Sequence, residues 1–225
     1  KEYLKNGLNI HFELFLEASV KGVVSNVSYS RRLIEDPEYR NEIEKFIRFA
    51  DVGIEGLSIR NSADDGEDDS VEVYTIHNVY DEKGEIVGQE EFEMSMESSG
   101  TIRYFSFIQY VLNIMEEGGT FIVDEMSARL HPILVKFIVD LFQSEKNKNA
   151  QLIFTTHDVG LMDRRQFRRD EIAFVDKDRK GVSSFYTLAD IRVRSDASFA
   201  KDYMAGKYGA VPVLDSKVAE GLVSE

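Results

Sequence analysis

The chain has 225 residues, 43% of them hydrophobic, which is enough for one large domain or two small ones. Lys and Arg total 27 against 41 Asp and Glu, and the formal net charge of −14 argues against general binding to nucleic acid or anionic membrane, leaving only a local basic patch for either. There is no cysteine, so disulfides and thiolate chemistry are excluded; no apolar stretch spans a bilayer and no leader pattern opens the chain, so a cytoplasmic location without membrane contact is expected.

Leu4, Leu8, Phe12, Phe15 and Leu16 recur at helical spacing with charges between them, predicting an amphipathic helix over residues 1–20. Residues 21–30 are β-like or irregular. Pro37 after Asp36 opens a helix over 37–50, with Ile43, Phe46, Ile47 and Ala50 as its buried stripe. A short strand over 52–60 comes next. Asn61 to Ser70 is a dense acidic run. Asp64, Asp65, Asp68 and Asp69 give it the composition of a calcium loop, but it lacks the alternate ligands and terminal glutamate of an EF-hand, so a solvated surface loop is expected. Residues 71–80 and 86–94 flank a turn at 81–85 and predict a β-hairpin, with His77 a structural residue of its first strand.

A helix over 98–116 follows, with Ile102, Phe105, Ile108, Leu112 and Met115 as its apolar positions, and it opens at Glu97-Ser98-Ser99-Gly100-Thr101. Gly118 and Gly119 then precede Thr120-Phe121-Ile122-Val123-Asp124-Glu125. A continuous apolar run of this kind predicts a central parallel strand covered on both faces. Ligands of such sheets gather at the carboxyl ends of the strands, where the two carboxylates would stand. Pro132 opens a helix reaching Ser144, and residues 151–156 predict a second buried strand ending at His157-Asp158. A short helix leads to Arg164, Arg165, Arg168 and Arg169, for which salt bridging within this acidic protein competes with a grip on nucleotide, nucleic acid or a partner. Residues 171–176 and 182–187 predict a second hairpin, a helix is expected near 196–205, and Gly206 to Pro212 precedes a frayed end.

Three of these elements carry chemistry, and each suits a nucleoside triphosphate. Backbone amides at the start of the 98–116 helix, with the hydroxyls of Ser98 and Ser99 and no side chain at Gly100, make an anion site. Asp124 is placed to hold Mg²⁺ through water, and Glu125 faces the space where an attacking water would stand, as its base. His157 ends the adjacent strand within reach of a γ-phosphate oxygen. The plainer alternatives are a helix-capping acid at Asp124 and Glu125, simple N-capping by Ser98 and Ser99, and an ordinary strand-end histidine at His157. His131 before Pro132 is expected to hold the start of the next helix.

In this order the motifs resemble the C-terminal half of the ABC-type ATPase head shared by SMC, Rad50 and RecF proteins. More closely, they resemble the AAA-like ATP-binding proteins of prokaryotic abortive infection and anti-phage defence, the RloA-like group and the ATPase subunit of PARIS systems. Glu97-Ser98-Ser99-Gly100-Thr101 is similar to a variant signature motif, and Asp124-Glu125 to the Walker B pair. Residues 127–132 are similar to the D-loop and Thr155-Thr156-His157-Asp158 to the switch histidine segment. Residues 168–172 and 206–212 are similar to C-terminal hallmarks of the defence-associated group. The resemblance spans roughly residues 37–212.

It implies an α/β fold, a mixed sheet with flanking helices. A helical and β-hairpin lobe would occupy 1–97, the signature, Walker B and switch core 98–212, and a tail 213–225. It also implies ATP and Mg²⁺ as cofactors and a homo-oligomer in which two heads sandwich ATP, Ser98, Ser99 and Gly100 closing the partner's site. A separate effector such as a Toprim-like nuclease is implied as well. The chain departs from the family in having no Gly-x-x-x-x-Gly-Lys-Ser/Thr phosphate loop; Gly206-Lys207 lacks the upstream glycine and the following hydroxyl. The expectation is therefore the C-terminal part of a longer ATPase, inactive without that loop, with a degenerate ATPase as the other reading. A RecF- or Rad50-like repair ATPase and a non-hydrolysing sequestering scaffold are the alternatives; the first would favour long heptad arms, which this chain does not show.

Overall fold

The computed structural model describes residues 10–13, 32–50, 53–61, 71–194 and 197–212, which fall into two compact units, Lys1–His157 and Asp158–Glu225. The architecture is mixed α/β. The acidic run 61–70, expected as a surface loop, lies outside the described residues except for Asn61, as do residues 21–30 and the tail from 213 onward.

Among the described residues, the first unit holds two sheets. One is parallel, with β1 (Ile10–Glu13) and β6 (Ala150–Phe154) on either side of β5 (Gly119–Val123). Phe121 pairs with His11 and Leu152, and Val123 with Glu13 and Phe154. Residues 10–13 were expected within a helix and are a strand instead; the rest of 1–20 lies outside the described residues. The spacing of Leu4, Leu8 and Phe12 is helical, but a ladder with β5, distant in sequence, decides the conformation of residues 10–13. β5 is central and parallel as expected, with Phe121 and Val123 buried. β6 differs from the buried strand predicted, for among the described residues it is an outer strand of this sheet, and it leaves Ile153 48% exposed.

The other sheet is antiparallel, β2 (Ile54–Asn61), β3 (Val71–Tyr80) and β4 (Ile86–Glu93), with β3 in the middle. Val71, Val73 and Thr75 are buried at alternate positions of β3, the period of a sheet with one covered face. The β3–β4 turn is closed by the Asp81 carboxylate, which accepts from the backbone of Lys83 and Glu85 at 2.8 and 2.9 Å.

Among the described residues, four α-helices belong to this unit. After the short α1 (Arg32–Glu35), α2 (Pro37–Phe49) starts as the sequence predicts. Pro37 occupies the first turn, and the Asp36 carboxylate accepts from the amides of Glu38 and Tyr39 at 3.1 and 3.0 Å, which holds its pKa below the usual carboxylate value. Its buried residues are Tyr39, Ile43 and Ile47, while Phe46 is half-buried against the Phe137 ring. α3 (Ser99–Glu117) buries far more than the predicted stripe: Tyr104, Phe105, Phe107, Ile108, Val111 and Ile114 are at most 2% exposed. A helix buried on most sides needs apolar residues nearly all round, which blurs the 3.6-residue pattern. α4 (Pro132–Gln143) runs where expected, and His131 caps it, accepting from the Ile133 amide at 3.3 Å.

The second unit is built on the hairpin β7 (Ala173–Lys177) and β8 (Ser183–Thr187), followed by α5 (Phe199–Met204). Phe174, Leu188, Phe199 and Tyr208 form its core. The Tyr186 hydroxyl donates to the Tyr208 carbonyl at 2.7 Å and the Tyr203 hydroxyl to that of Ala210 at 2.8 Å. Residues 206–212 thus close this core, and the Lys207 ammonium is paired with Asp202 at 2.5 Å. Three arginines of the patch are paired within this unit. Arg165 pairs with Asp163 at 2.8 Å and Arg168 with Asp170 at 2.9 Å, while Arg169 donates to the Ile191 carbonyl at 2.6 Å. The Arg165 guanidinium holds the Asp163 carboxyl down at about 2. No helix among the described residues is long and apolar enough to cross a membrane.

Candidate active site at the carboxyl ends of β5 and β6

Parallel pairing brings the ends of β5 and β6 side by side, and with them Asp124-Glu125 and Thr155-Thr156. The ladder runs one step past the strands: the Thr155 amide donates to the Val123 carbonyl at 3.0 Å, and the Met126 amide to the Thr155 carbonyl at 3.0 Å. The Thr155 side chain then ties both acids together. Its hydroxyl donates to Asp124 Oδ1 and accepts from the Glu125 amide at 2.9 Å. Asp124 and Glu125 are themselves exposed, whereas the next residue, Met126, is fully buried and anchors the turn.

Glu125 has φ +49°, a left-handed conformation that costs an L residue about 1 kcal/mol or more. The surroundings enforce it. Besides the amide bond to Thr155, its carbonyl accepts from Arg103 of α3 at 2.8 Å and from the Ala128 amide at 2.9 Å. Strain held in this way commonly marks a functional side chain.

The turn at the start of α3 meets the segment after Glu125. A side-chain carbon on Gly100 would lie 2.8 Å from the Arg129 carbonyl oxygen, so only glycine allows this approach. Arg129 is also left-handed, at φ +61°. Ser127 in the same segment meets the Thr156 hydroxyl at 2.8 Å. Ser98 caps α3, accepting from the Thr101 amide at 3.1 Å, and Ser99, the first helical residue, is exposed. Ser98→Ala should therefore lower stability by about 1 kcal/mol and Ser98→Gly by only a few tenths, read by denaturant melts.

Of the residues singled out in the sequence, Asp124 and Glu125 come together through Thr155, and Gly100 meets the segment that follows them. His157 is exposed just beyond Thr156, and among the described residues no hydrogen bond joins it to either carboxylate. Thr155 and Arg103 are the functional residues that sequence patterns miss: Thr155 is marked only by its place before His157, and nothing in the sequence marks Arg103, whose contact spans 22 positions.

Among protein families, the one described as "AAA domain, putative AbiEii toxin, Type IV TA system" matches residues 8–163. The chain belongs to that AAA family. Its match takes in every element of the site above, from β1 through the switch segment. No curated protein matches this AAA chain. Among solved structures, one from work on ATP-driven dimerization and DNA-stimulated activation of SMC ATPases aligns with 82% of this chain and 100% of its own, at 15% identity and a TM-score of 0.43. The Smc head domain with a coiled coil and joint from Pyrococcus yayanosii aligns with 78% of this chain at 16% identity and a TM-score of 0.48. The SmcHead bound to the C-winged helix domain of ScpA aligns with 69% at 17% identity and a TM-score of 0.44. The AAA chain spans 30% and 44% of the length of the last two.

Proposed function

We propose that this AAA domain is an ATP-binding and hydrolysing head that works with a phosphate-gripping loop lying outside residues 1–225, and that it acts as a sensor or regulator in anti-phage defence. The observation that carries the reading is the Thr155-centred link between Asp124 and Glu125, with Glu125 held in a strained conformation by Thr155, Arg103 and Ala128. That arrangement holds the Asp124 carboxylate and the backbone of Glu125 at a strand end and leaves both side chains exposed, as water-based chemistry requires. Asp124 fits Mg²⁺: it is exposed and has one oxygen bonded to a hydroxyl, and Mg²⁺ at a triphosphate needs only one or two protein carboxylates, the rest of its shell being water and phosphate. The ion, when bound, neutralises phosphate charge.

Glu125 then takes the proton of the attacking water, and His157 contacts a γ-phosphate oxygen. Ser98, Ser99 and Gly100 close the site of a second copy, so ATP pairs two heads and hydrolysis releases them. The family description names the AbiEii toxin and a type IV TA system, which supports a place in defence. In that role the head works with a separate effector such as a Toprim-like nuclease. Ser99→Arg in the full-length protein tests the trans arrangement. Ser99 is exposed, so arginine there is compatible with the fold but would crowd the partner's phosphates. ATP-driven dimerisation, followed by light scattering, is expected to disappear; normal dimers in this variant would overturn the arrangement.

A further inference from the structure

The residue just before the Ser98 cap is tied to the antiparallel sheet. The Glu97 side chain is only 14% exposed, and its Oε1 lies 2.6 Å from the Thr75 hydroxyl and 2.7 Å from His77 Nε2. A carboxylate can only accept, so the Thr75 O–H and the His77 Nε2–H both donate to it. Both donors are fixed. Thr75 is fully buried in the middle strand, in register with Leu57 on one side and Phe92 on the other. The His77 ring stands edge-on to the Phe92 ring, centroids 5.2 Å apart. Charge-assisted bonds of this kind are about twice as strong as neutral ones, and partial burial strengthens them further. The capping bonds of Ser98 account for the helix start alone; they do not explain why a carboxylate one residue earlier reaches across to β3.

We propose that Glu97 is a positioning residue, gripped by Thr75 and His77, through which the β2–β3–β4 sheet sets where the Ser98–Gly100 turn stands when it closes on the nucleotide of a second copy. The proposal rests on the trans arrangement put forward above. It makes the antiparallel sheet part of the pairing machinery.

The test uses the full-length protein carrying Thr75→Val, which keeps the shape and removes the hydroxyl, and Thr75→Ser, which restores it. Loss of one hydrogen bond to a charged group corresponds to roughly a tenfold change or more in an equilibrium constant. Thr75→Val should weaken ATP-driven pairing by about that factor, while MgATP affinity measured at dilutions where heads stay apart remains that of the wild type. Thr75→Ser should pair normally. Glu97→Gln, which loses the charge but keeps an acceptor oxygen, should move pairing the same way by a smaller factor. Wild-type pairing in both Thr75→Val and Glu97→Gln would overturn the proposal, as would equal losses of pairing and single-head binding, the mark of general damage. If the wild type itself does not pair with ATP, the trans arrangement falls and this inference falls with it.

Discussion

Glu125→Gln in the full-length protein is expected to lower ATP turnover by about 10²–10⁴-fold, the usual contribution of a positioned general base, while MgATP binding persists. Glutamine matches glutamate in shape, and the bonds that hold position 125 are all made by its backbone: the amide to Thr155, the carbonyl to Arg103 and Ala128. The substitution should therefore leave the turn in place. Asp124, the proposed Mg²⁺ ligand, keeps its bond from Thr155 and is not altered. Rate and affinity should separate, with slow phosphate release beside an unchanged binding isotherm. Turnover equal to wild type would remove Glu125 from the role of base. Loss of binding as well would mean that the carboxylate serves the nucleotide site itself.

The features legible in the sequence are those fixed by local chemistry. Asp36 with Pro37 announces α2, the turn at 81–85 announces the β3–β4 hairpin, and Ser98 announces α3, because a cap or a turn is decided by neighbours within a few positions. β1 was not legible, since its conformation follows from pairing with a strand more than a hundred positions away. The same limit applies to the site. The run Thr120–Glu125 points to a strand end bearing two acids, but the roles of Thr155 and Arg103 arise only when β6 and α3 are placed beside it. The Gly206–Pro212 segment was legible in part, since its Gly-Lys pair lacks the rest of a phosphate loop. What the pair does instead arises only in the fold, where Lys207 is paired with Asp202 and Tyr208 is core.

Gly100→Ala is expected to cost about 1–3 kcal/mol of stability, the range for forcing an extra methyl into a packed site, with Gly100→Val above it. Neither neighbour of the new carbon can yield cheaply. The obstacle, 2.8 Å away, is the backbone oxygen of Arg129 rather than the tip of a flexible side chain. Arg129 already occupies a left-handed conformation, in a turn where the Leu130 amide bonds to the Ser127 carbonyl at 3.3 Å and Ser127 to Thr156 at 2.8 Å. On the other side, Gly100 sits inside the first turn of α3, whose cap and buried Thr101 resist displacement. Gly88→Ala on β4 is the matched control, because nothing lies within 4 Å of its new carbon; it should change stability by no more than about 0.5 kcal/mol. Thermal melts of the two variants decide the point, and a Gly100→Ala protein as stable as the control would refute the close approach. The turnover of Gly100→Ala adds a second reading. If the shift is taken up by residues 127–130, it reaches Glu125 through the Ala128 amide and the switch segment through Ser127, so activity should fall together with stability. Ser99→Arg should behave differently, losing pairing while melting as the wild type does, because Ser99 faces solvent whereas Gly100 faces Arg129.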